Sequence, residues 1–303
     1  MLRKPNFLIV GAAKSGSTSL YQYLSQHPEV YMPVNKEPNY FVAEYQQKMN
    51  KKSPNYKKSI DRMIFQKSEY YNLFRNISPK QKIIGEASVT YLYKYDYAIP
   101  KIKHELGENC KIIIILRNPI FRAFSQYSYI KELGFEKLEF LDALKQEKNR
   151  LDNNWASTFA YVEQGMFYKQ VKAYKDNFKN VYVLLLEDLV KDKNKEMSRI
   201  FYFLGIDPLM DGNYSKVFNS SGVPRFKFLH DFLVNDNAIK KILRKLIPNG
   251  ILRKLSLLTR NLNQGDKLVI NKNEKLVLKD IYKEDINKLE NLLKRDLNHW
   301  LKA

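Results

Sequence analysis

The first half of the chain alternates short apolar runs with longer amphipathic stretches. "NFLIVG" (6–11) is an unbroken apolar run, the pattern of a strand covered on both faces. Residues 16–26 after it read as a helix. "EVYMP" (29–33), "KIIGEAS" (82–88), "CKIIIILR" (110–117) and "NVYVLLLEDL" (180–189) read as further strands. The strongest is 110–117, whose four consecutive isoleucines are β-branched and apolar toward both sides. Strands alternating with helical segments predict an α/β chain: a central parallel sheet of about five strands, flanked by helices.

"NPIFRAFSQYSYIKEL" (118–133) reads as a helix with Asn118 as cap and Pro119 in the first turn. Residues 44–80 are rich in Lys, Tyr, Asn and Ser with little periodicity, so a loop or short helices over the sheet are expected. Residues 135–160 read as another polar insert. "NEKLVLKDIYKEDINKLENLLKRDLNHW" (273–300) reads as one long or broken amphipathic helix. No internal repeat is visible. One domain, 1–303, is expected, with 238–303 as a helical part packed on it.

Composition narrows the picture. The 303 residues are 44% hydrophobic, enough for one large α/β domain or two small ones. Cys110 is the single cysteine, so no intrachain disulfide can form. No apolar run reaches the ~18 residues of a membrane span, and no secretory h-region is present; a cytoplasmic location is expected. The net charge of +20 has three readings. It is a solvated lysine-rich surface, or it attracts a nucleotide, an acidic polysaccharide or a membrane lipid, or it binds nucleic acid. No zinc-finger spacing, RNP signature or helix-turn-helix pattern stands out, so no nucleic-acid partner is expected. The basic amphipathic stretch 238–262, broken at Pro248–Gly250, leaves two readings open. Either its Lys and Arg face water, or they form a peripheral contact with an anionic polymer or the inner membrane face.

The stretch after the first strand carries the chemistry. A glycine-rich turn between strand and helix aims backbone N–H groups at one point, and the helix start adds positive potential, so it holds a phosphate or sulfate. Gly11 and Gly16 have Walker A spacing, but Ser17 follows Gly16 where that motif places its lysine. The lysine is Lys14 instead. This demotes a nucleoside-triphosphate reading.

Lys-Ser-Gly-Ser-Thr at 14–18 resembles the 5′-phosphosulfate loop of the sulfotransferases that use 3′-phosphoadenosine-5′-phosphosulfate (PAPS). The resemblance implies that Lys14 contacts the oxygen between phosphate and sulfate. It also implies that Ser15, Gly16, Ser17 and Thr18 hold the 5′-phosphate. "LRNPIFRAFSQY" (116–127) adds a second match. It resembles the 3′-phosphate motif of that family, with Arg117 and Ser125 eight residues apart at the end of the strongest strand. Both side chains reach one anion at that sheet edge, where open α/β sheets bind ligands. Arg122 is expected either to support the site or to pair with a carboxylate elsewhere. "HPEVYMPVNKEPNYF" (27–41) and "GEASVTYL" (85–92) are similar to segments of the heparan-sulfate type of sulfotransferase and its bacterial relatives. The end of the chain resembles the closing helix of bacterial members.

Sulfuryl transfer needs a base for the acceptor hydroxyl and positive charge at the leaving oxygen, which Lys14 supplies. Two carboxylates compete for the base. By resemblance Glu37 in "KEPNYF" is the first candidate, against the alternative of a surface carboxylate paired with Lys36. Glu86, at the end of a buried strand, is the second; it orients the acceptor, acts as base, or pairs with a buried arginine. Ser19 replaces the tryptophan that often follows the loop threonine in cytosolic sulfotransferases, which argues against that branch. Two weaker candidates complete the set. Arg225, with Ser221, lies in a stretch resembling the late loop over the nucleotide. Tyr168 either approaches the adenosine or belongs to the core. His27 is expected to be structural and His104 solvated. No His/Cys cluster has metal spacing, so no metal is expected. The expected acceptor is a carbohydrate hydroxyl, with a lipid-linked or small-molecule acceptor as runner-up. A P-loop kinase and a non-catalytic polyanion-binding protein stand as readings of another class.

Overall fold

Five strands form one all-parallel sheet in a computed structural model that describes residues 3–209, 212–214 and 268–302. They are β1 (Phe7–Gly11), β2 (Val30–Tyr31), β3 (Ile83–Ala87), β4 (Lys111–Leu116) and β5 (Val181–Leu185). Their order is β2-β3-β1-β4-β5. Every residue of β1 and β3 is buried, as parallel strands covered by helices require.

The isoleucine run shows why the sheet is apolar on both sides. Side chains alternate between faces along a strand. Ile112 and Ile114 join Leu8 and Val10 in one core, and Ile113 and Ile115 join Phe7 and Ile9 in the other. Burying each such side chain contributes about 1.5–3 kcal/mol.

The helices on the second face include α1 (Ser17–Leu24). On the first face the chain runs through three short helices, α2 (Ala43–Gln47), α3 (Tyr56–Ile60) and α4 (Lys67–Asn72). These are the short covering helices expected over 44–80. They are followed by α5 (Thr90–Tyr93), α6 (Tyr95–Leu106), α7 (Pro119–Glu132), α8 (Phe140–Asp152) and α9 (Phe167–Asn177). The strand expected over 180–189 ends at Leu185. Residues 186–191 form helix α10 (Leu186–Lys191), whose first turn carries Glu187 and Asp188, a favourable place for carboxylates. Helix α11 (Lys193–Leu204) follows, started by the Asp192 side chain on the Lys195 N–H.

The segment 273–300 is a broken helix. A closing helix, Lys272–Leu293, starts at a capping box of Asn271 and Glu274. It stops where Lys294 takes a left-handed conformation, and a short turn, Asn298–Trp300, completes it. Trp300 is buried, and its carbonyl accepts a hydrogen bond from Asn118 Nδ2 at 3.0 Å, which ties the chain's end to the start of α7. The basic stretch 238–262, together with Ser221 and Arg225, lies outside the described residues.

Topology gathers the candidate chemistry. β1 lies between β3 and β4, so the three C-terminal strand ends are neighbours. They carry the 12–16 loop, the Glu86–Ser88 segment and Arg117. The register of β1 on β4 slips between Ile9 and Gly11, a bulge that re-aims the chain as it enters the loop.

Candidate active site

The loop leaves β1 at Gly11 and enters α1 through Gly16. Gly16 has φ 93°, and a Cβ there would meet Leu186 Cδ1 at 2.7 Å, so the turn needs glycine twice over. The first turn of α1 contains no acidic residue; it is Ser17, Thr18 and Ser19. Its leading N–H groups have no intrahelical partner. Ser15 is fully buried and its hydroxyl has no partner among the described residues. An orphan hydroxyl beside free helix N–H groups is the donor set of an oxyanion site, and the loop fits a phosphate or sulfate.

Lys14 takes φ 64° within this loop. Its ammonium sits 4.2 Å from the centre of the Tyr129 ring on α7. Burial lowers its pKa to about 8; Glu132 and Glu37 oppose this, and Arg117 and Arg122 add to it. The lysine therefore stands in a water-poor place among charges of both signs. An arriving anion would hold it protonated.

Arg117 follows β4 directly. Its Nη1 donates to the carbonyl oxygen of Lys14 at 3.2 Å, which joins the two phosphate motifs. Burial pulls the guanidinium's pKa down and Glu187 works against that; the group stays charged. The turn into α7 forms as its sequence predicts. Asn118 Oδ1 accepts from the Ile120 N–H at 3.0 Å, and Pro119 occupies the first helical position. The Asn118 N–H donates to Glu187 Oε1 at 2.9 Å. Ser125 lies half-buried two turns into α7, one turn before Tyr129.

Arg122 supports the helix core. It is fully buried and donates to the Tyr161 carbonyl, beside the Tyr282 hydroxyl and the Glu147 carboxylate. Burial raises Glu147 to about 7. Tyr168 also packs on the core, and its N–H donates to Asp285 of the closing helix at 3.2 Å.

The two candidate carboxylates stand in different surroundings. Glu37 is partly exposed, has φ 65°, and pairs with Lys36 at 2.7 Å. It forms the expected pair with Lys36, and its charge is felt at Lys14. Glu86 is fully buried. Its carboxylate accepts from Ser88 Oγ at 2.5 Å, Tyr91 at 3.0 Å and Tyr70 at 3.3 Å. Of the three readings left open, pairing with a buried arginine is not what is found: hydroxyls take that place. Both oxygens are occupied and water is excluded, which is not the setting of a base that meets an acceptor. Burial raises its pKa to about 7.

Four further residues enter the site that motif reading passed over. Tyr129 and Glu132 lie four and seven positions after Ser125, on the same helix face. That spacing was readable once Ser125 was placed on a helix. Ser88 and Glu187 were passed over because their bonds with the Asn39 and Asn118 N–H groups join segments far apart in sequence. His27 is structural as expected: its Nδ1 accepts the Glu29 N–H and its Nε2 meets the Asp207 carbonyl at 3.0 Å.

Comparison with known proteins agrees with this geometry. A sequence model described as the sulfotransferase domain matches residues 4–222. The membrane-associated sulfotransferase kil1 of Dictyostelium discoideum is 33% identical over 129 residues, 43% of this chain and 24% of that protein. Mouse heparan sulfate glucosamine 3-O-sulfotransferase 3B1 is 23% identical over 227 residues, 74% of this chain and 52% of that protein. The chain thus spans about half or less of these relatives. A crystal structure of a sulfotransferase from Alicyclobacillus acidocaldarius superposes with TM-score 0.72 at 26% identity, covering 98% of this chain and 99% of that one. Mouse sulfotransferase SULT7A1 complexed with PAP shares the fold, with TM-score 0.53 at 18% identity over 99% of this chain and 88% of that one. With the loop, the Arg117 edge and a family match across most of the chain in agreement, the protein belongs to the sulfotransferase domain family.

Proposed function

We propose that the protein transfers a sulfuryl group from PAPS to an acceptor hydroxyl, most simply on a carbohydrate. In the reaction the acceptor oxygen forms a bond to sulfur while the sulfur–oxygen bond to the 5′-phosphate breaks. The acceptor's proton goes to a base, and adenosine 3′,5′-bisphosphate leaves. Lys14 offsets the charge growing on the leaving oxygen. Ser15, Gly16, Ser17 and Thr18 hold the 5′-phosphate, and Arg117 with Ser125 holds the 3′-phosphate. Glu37 takes the proton, since it is the candidate carboxylate with access to solvent and its charge reaches Lys14. The scheme draws on no metal.

The observation that carries this reading is the Arg117–Lys14 contact at 3.2 Å, which sets the two phosphate motifs side by side. A kinase would need its lysine after Gly16. The carbohydrate acceptor is supported by the heparan sulfate relatives and by the net charge of +20, which attracts an acidic glycan. A lipid-linked or small-molecule acceptor is the second reading. It is favoured by the basic stretch 238–262 and by the membrane association in the name of the Dictyostelium relative. Among the described residues no helix is long and apolar enough to cross a membrane.

Thermal shift separates the classes. Adenosine 3′,5′-bisphosphate is expected to stabilise the protein more than ATP–Mg²⁺. The reverse order would overturn the sulfotransferase reading in favour of a kinase. Labelled PAPS offered to a panel of glycans and lipids then identifies the acceptor.

A further inference from the structure

Glu86 lies under the segment that carries Glu37, and hydrogen bonds join them along two parallel routes. In the first, the Asn39 N–H donates to Ser88 Oγ at 3.1 Å, and Ser88 Oγ donates to Glu86 Oε1 at 2.5 Å. In the second, the Phe41 N–H donates to the Tyr91 hydroxyl at 3.4 Å, and Tyr91 donates to Glu86 Oε2 at 3.0 Å. The two oxygens of one buried carboxylate thus terminate two backbone N–H groups of the 37–41 segment, each through one hydroxyl.

The segment needs such anchoring. Glu37 and Asn39 both adopt left-handed backbone conformations, φ 65° and 52°, which asparagine tolerates and glutamate does not favour. Local bonds complete the turn: Asn39 Nδ2 donates to the Glu37 carbonyl at 2.9 Å, and the Glu37 N–H donates to the Ala87 carbonyl at 3.0 Å. A hydroxyl that accepts from an N–H must donate elsewhere, and burial leaves Glu86 as its acceptor.

We infer that Glu86 is a positioning residue that holds the Glu37 carboxylate at the donor site through the Ser88 and Tyr91 hydroxyls. It touches neither donor nor acceptor. The inference rests on the proposed role of Glu37. It accounts for a carboxylate on a fully buried strand, where an apolar residue would serve packing better. It also separates the two carboxylates by function: one is exposed and reactive, the other is buried and aims it.

The test removes one route at a time with Ser88→Ala and Tyr91→Phe, and Glu86→Gln replaces one of the two acceptor oxygens by a donor. Ser88→Thr restores a hydroxyl. Hydrogen exchange at the amides of Asn39 and Phe41 reports the segment directly. Expected are at least tenfold faster exchange at Asn39 in Ser88→Ala, at Phe41 in Tyr91→Phe, and at one of the two or both in Glu86→Gln. Exchange in the 12–18 loop and the Kd for adenosine 3′,5′-bisphosphate should stay within twofold. Sulfuryl transfer from labelled PAPS to heparan-sulfate oligosaccharides should lose at least tenfold in kcat, and Ser88→Thr should recover most of it. Unchanged exchange at both amides overturns the inference, as does a uniform loss that includes nucleotide binding. Glu37→Gln separates this from failure of the functional reading. If Glu37→Gln abolishes transfer while the three variants keep it, the positioning role is wrong. If Glu37→Gln itself keeps transfer, the role of Glu37 as base is wrong, while the exchange readout still judges the anchoring.

Discussion

Arg117 and Lys14, 103 residues apart in sequence, meet through a hydrogen bond from the guanidinium to the lysine carbonyl at 3.2 Å. One nitrogen of the arginine thus braces the loop while the rest of its fork remains for an anion. Arg117→Lys keeps the charge but loses the fork. A hydrogen bond to a charged group contributes about 1.5–3 kcal/mol, so affinity for adenosine 3′,5′-bisphosphate should fall about 10–150-fold by calorimetry. Ser125→Ala should weaken it less, as the loss of a neutral donor does.

Lys14 sets a pH limit on donor binding. Its pKa is lowered to about 8 by burial. Below that pH it adds its charge to that of Arg117, and above it that contribution is lost. The Kd for adenosine 3′,5′-bisphosphate should therefore rise as pH increases through 8, at constant ionic strength. Lys14→Arg should flatten that rise, because guanidinium does not titrate there. Lys14→Ala should bind weakly at every pH. A wild-type curve that stays flat from pH 7 to 9.5 would contradict this assignment.

The candidate anion site was legible because its residues are local in sequence. Ala12 to Thr18 form one continuous loop and helix start, and Arg117, Asn118 and Pro119 lie at one strand end, so the spacing of a few residues carries the geometry. The strands were legible for a similar reason: runs such as 112–115 are apolar on both faces. What escaped was set by contacts between distant segments. Leu186–Lys191 continues an apolar strand pattern, yet it turns into a helix whose Glu187 meets the Asn118 N–H. Glu86 stands in a strand run, with Ser88 and Tyr91 two and five residues after it and Tyr70 on an earlier helix. Their convergence on its carboxylate, and the bonds from Ser88 and Tyr91 to the Asn39 and Phe41 N–H groups, depend on how the chain folds back and not on spacing.

Glu132 tunes Lys14 from α7, the helix whose Tyr129 ring the lysine packs on. It is buried in the last turn of α7, and its charge is the foremost one raising the lysine's pKa against burial. Glu132→Gln removes that support. The pH at which nucleotide binding weakens should then move below the wild-type value of about 8. At pH 6.5, where the lysine is protonated in both proteins, the variant should bind the anion at least as well, since a nearby negative charge is gone. The same titration by calorimetry reads both effects.

Gly16 tests the loop's backbone. With φ 93° and Leu186 Cδ1 2.7 Å from an added Cβ, Gly16→Ala combines conformational strain with a contact. A loss on the order of 1–3 kcal/mol in stability is expected, read by urea denaturation. Leu186→Ala in the same chain relieves the contact but not the φ. The double variant should therefore lose less than the sum of the two single losses.

Glu86 makes stability and loop order respond to pH in opposite directions. Burial raises its pKa from the usual 4.5 to about 7, so the folded protein takes up a proton in a range where the unfolded chain does not. Its contribution to stability is therefore fully present below about 4.5 and is lost as pH rises through 7. The whole effect is on the order of 3 kcal/mol. Protonation, however, makes one oxygen of Glu86 a donor, and a hydroxyl that donated to it must turn away. Tyr70, Tyr91, Tyr174, Cys110 and Lys36 surround the group, and the tyrosine and thiol pKa values are pushed up, so they stay neutral here. Between pH 7.5 and 5.5 the wild-type Tm should gain on that of Glu86→Gln, while exchange at the Asn39 and Phe41 amides, corrected for its intrinsic pH dependence, should quicken in the wild type alone. Glu147 and Asp285 titrate near the same range, at about 7 and about 6, but both variants share them and the difference cancels their effect. A Tm difference that stays constant, or moves the other way, would show that Glu86 does not carry this proton.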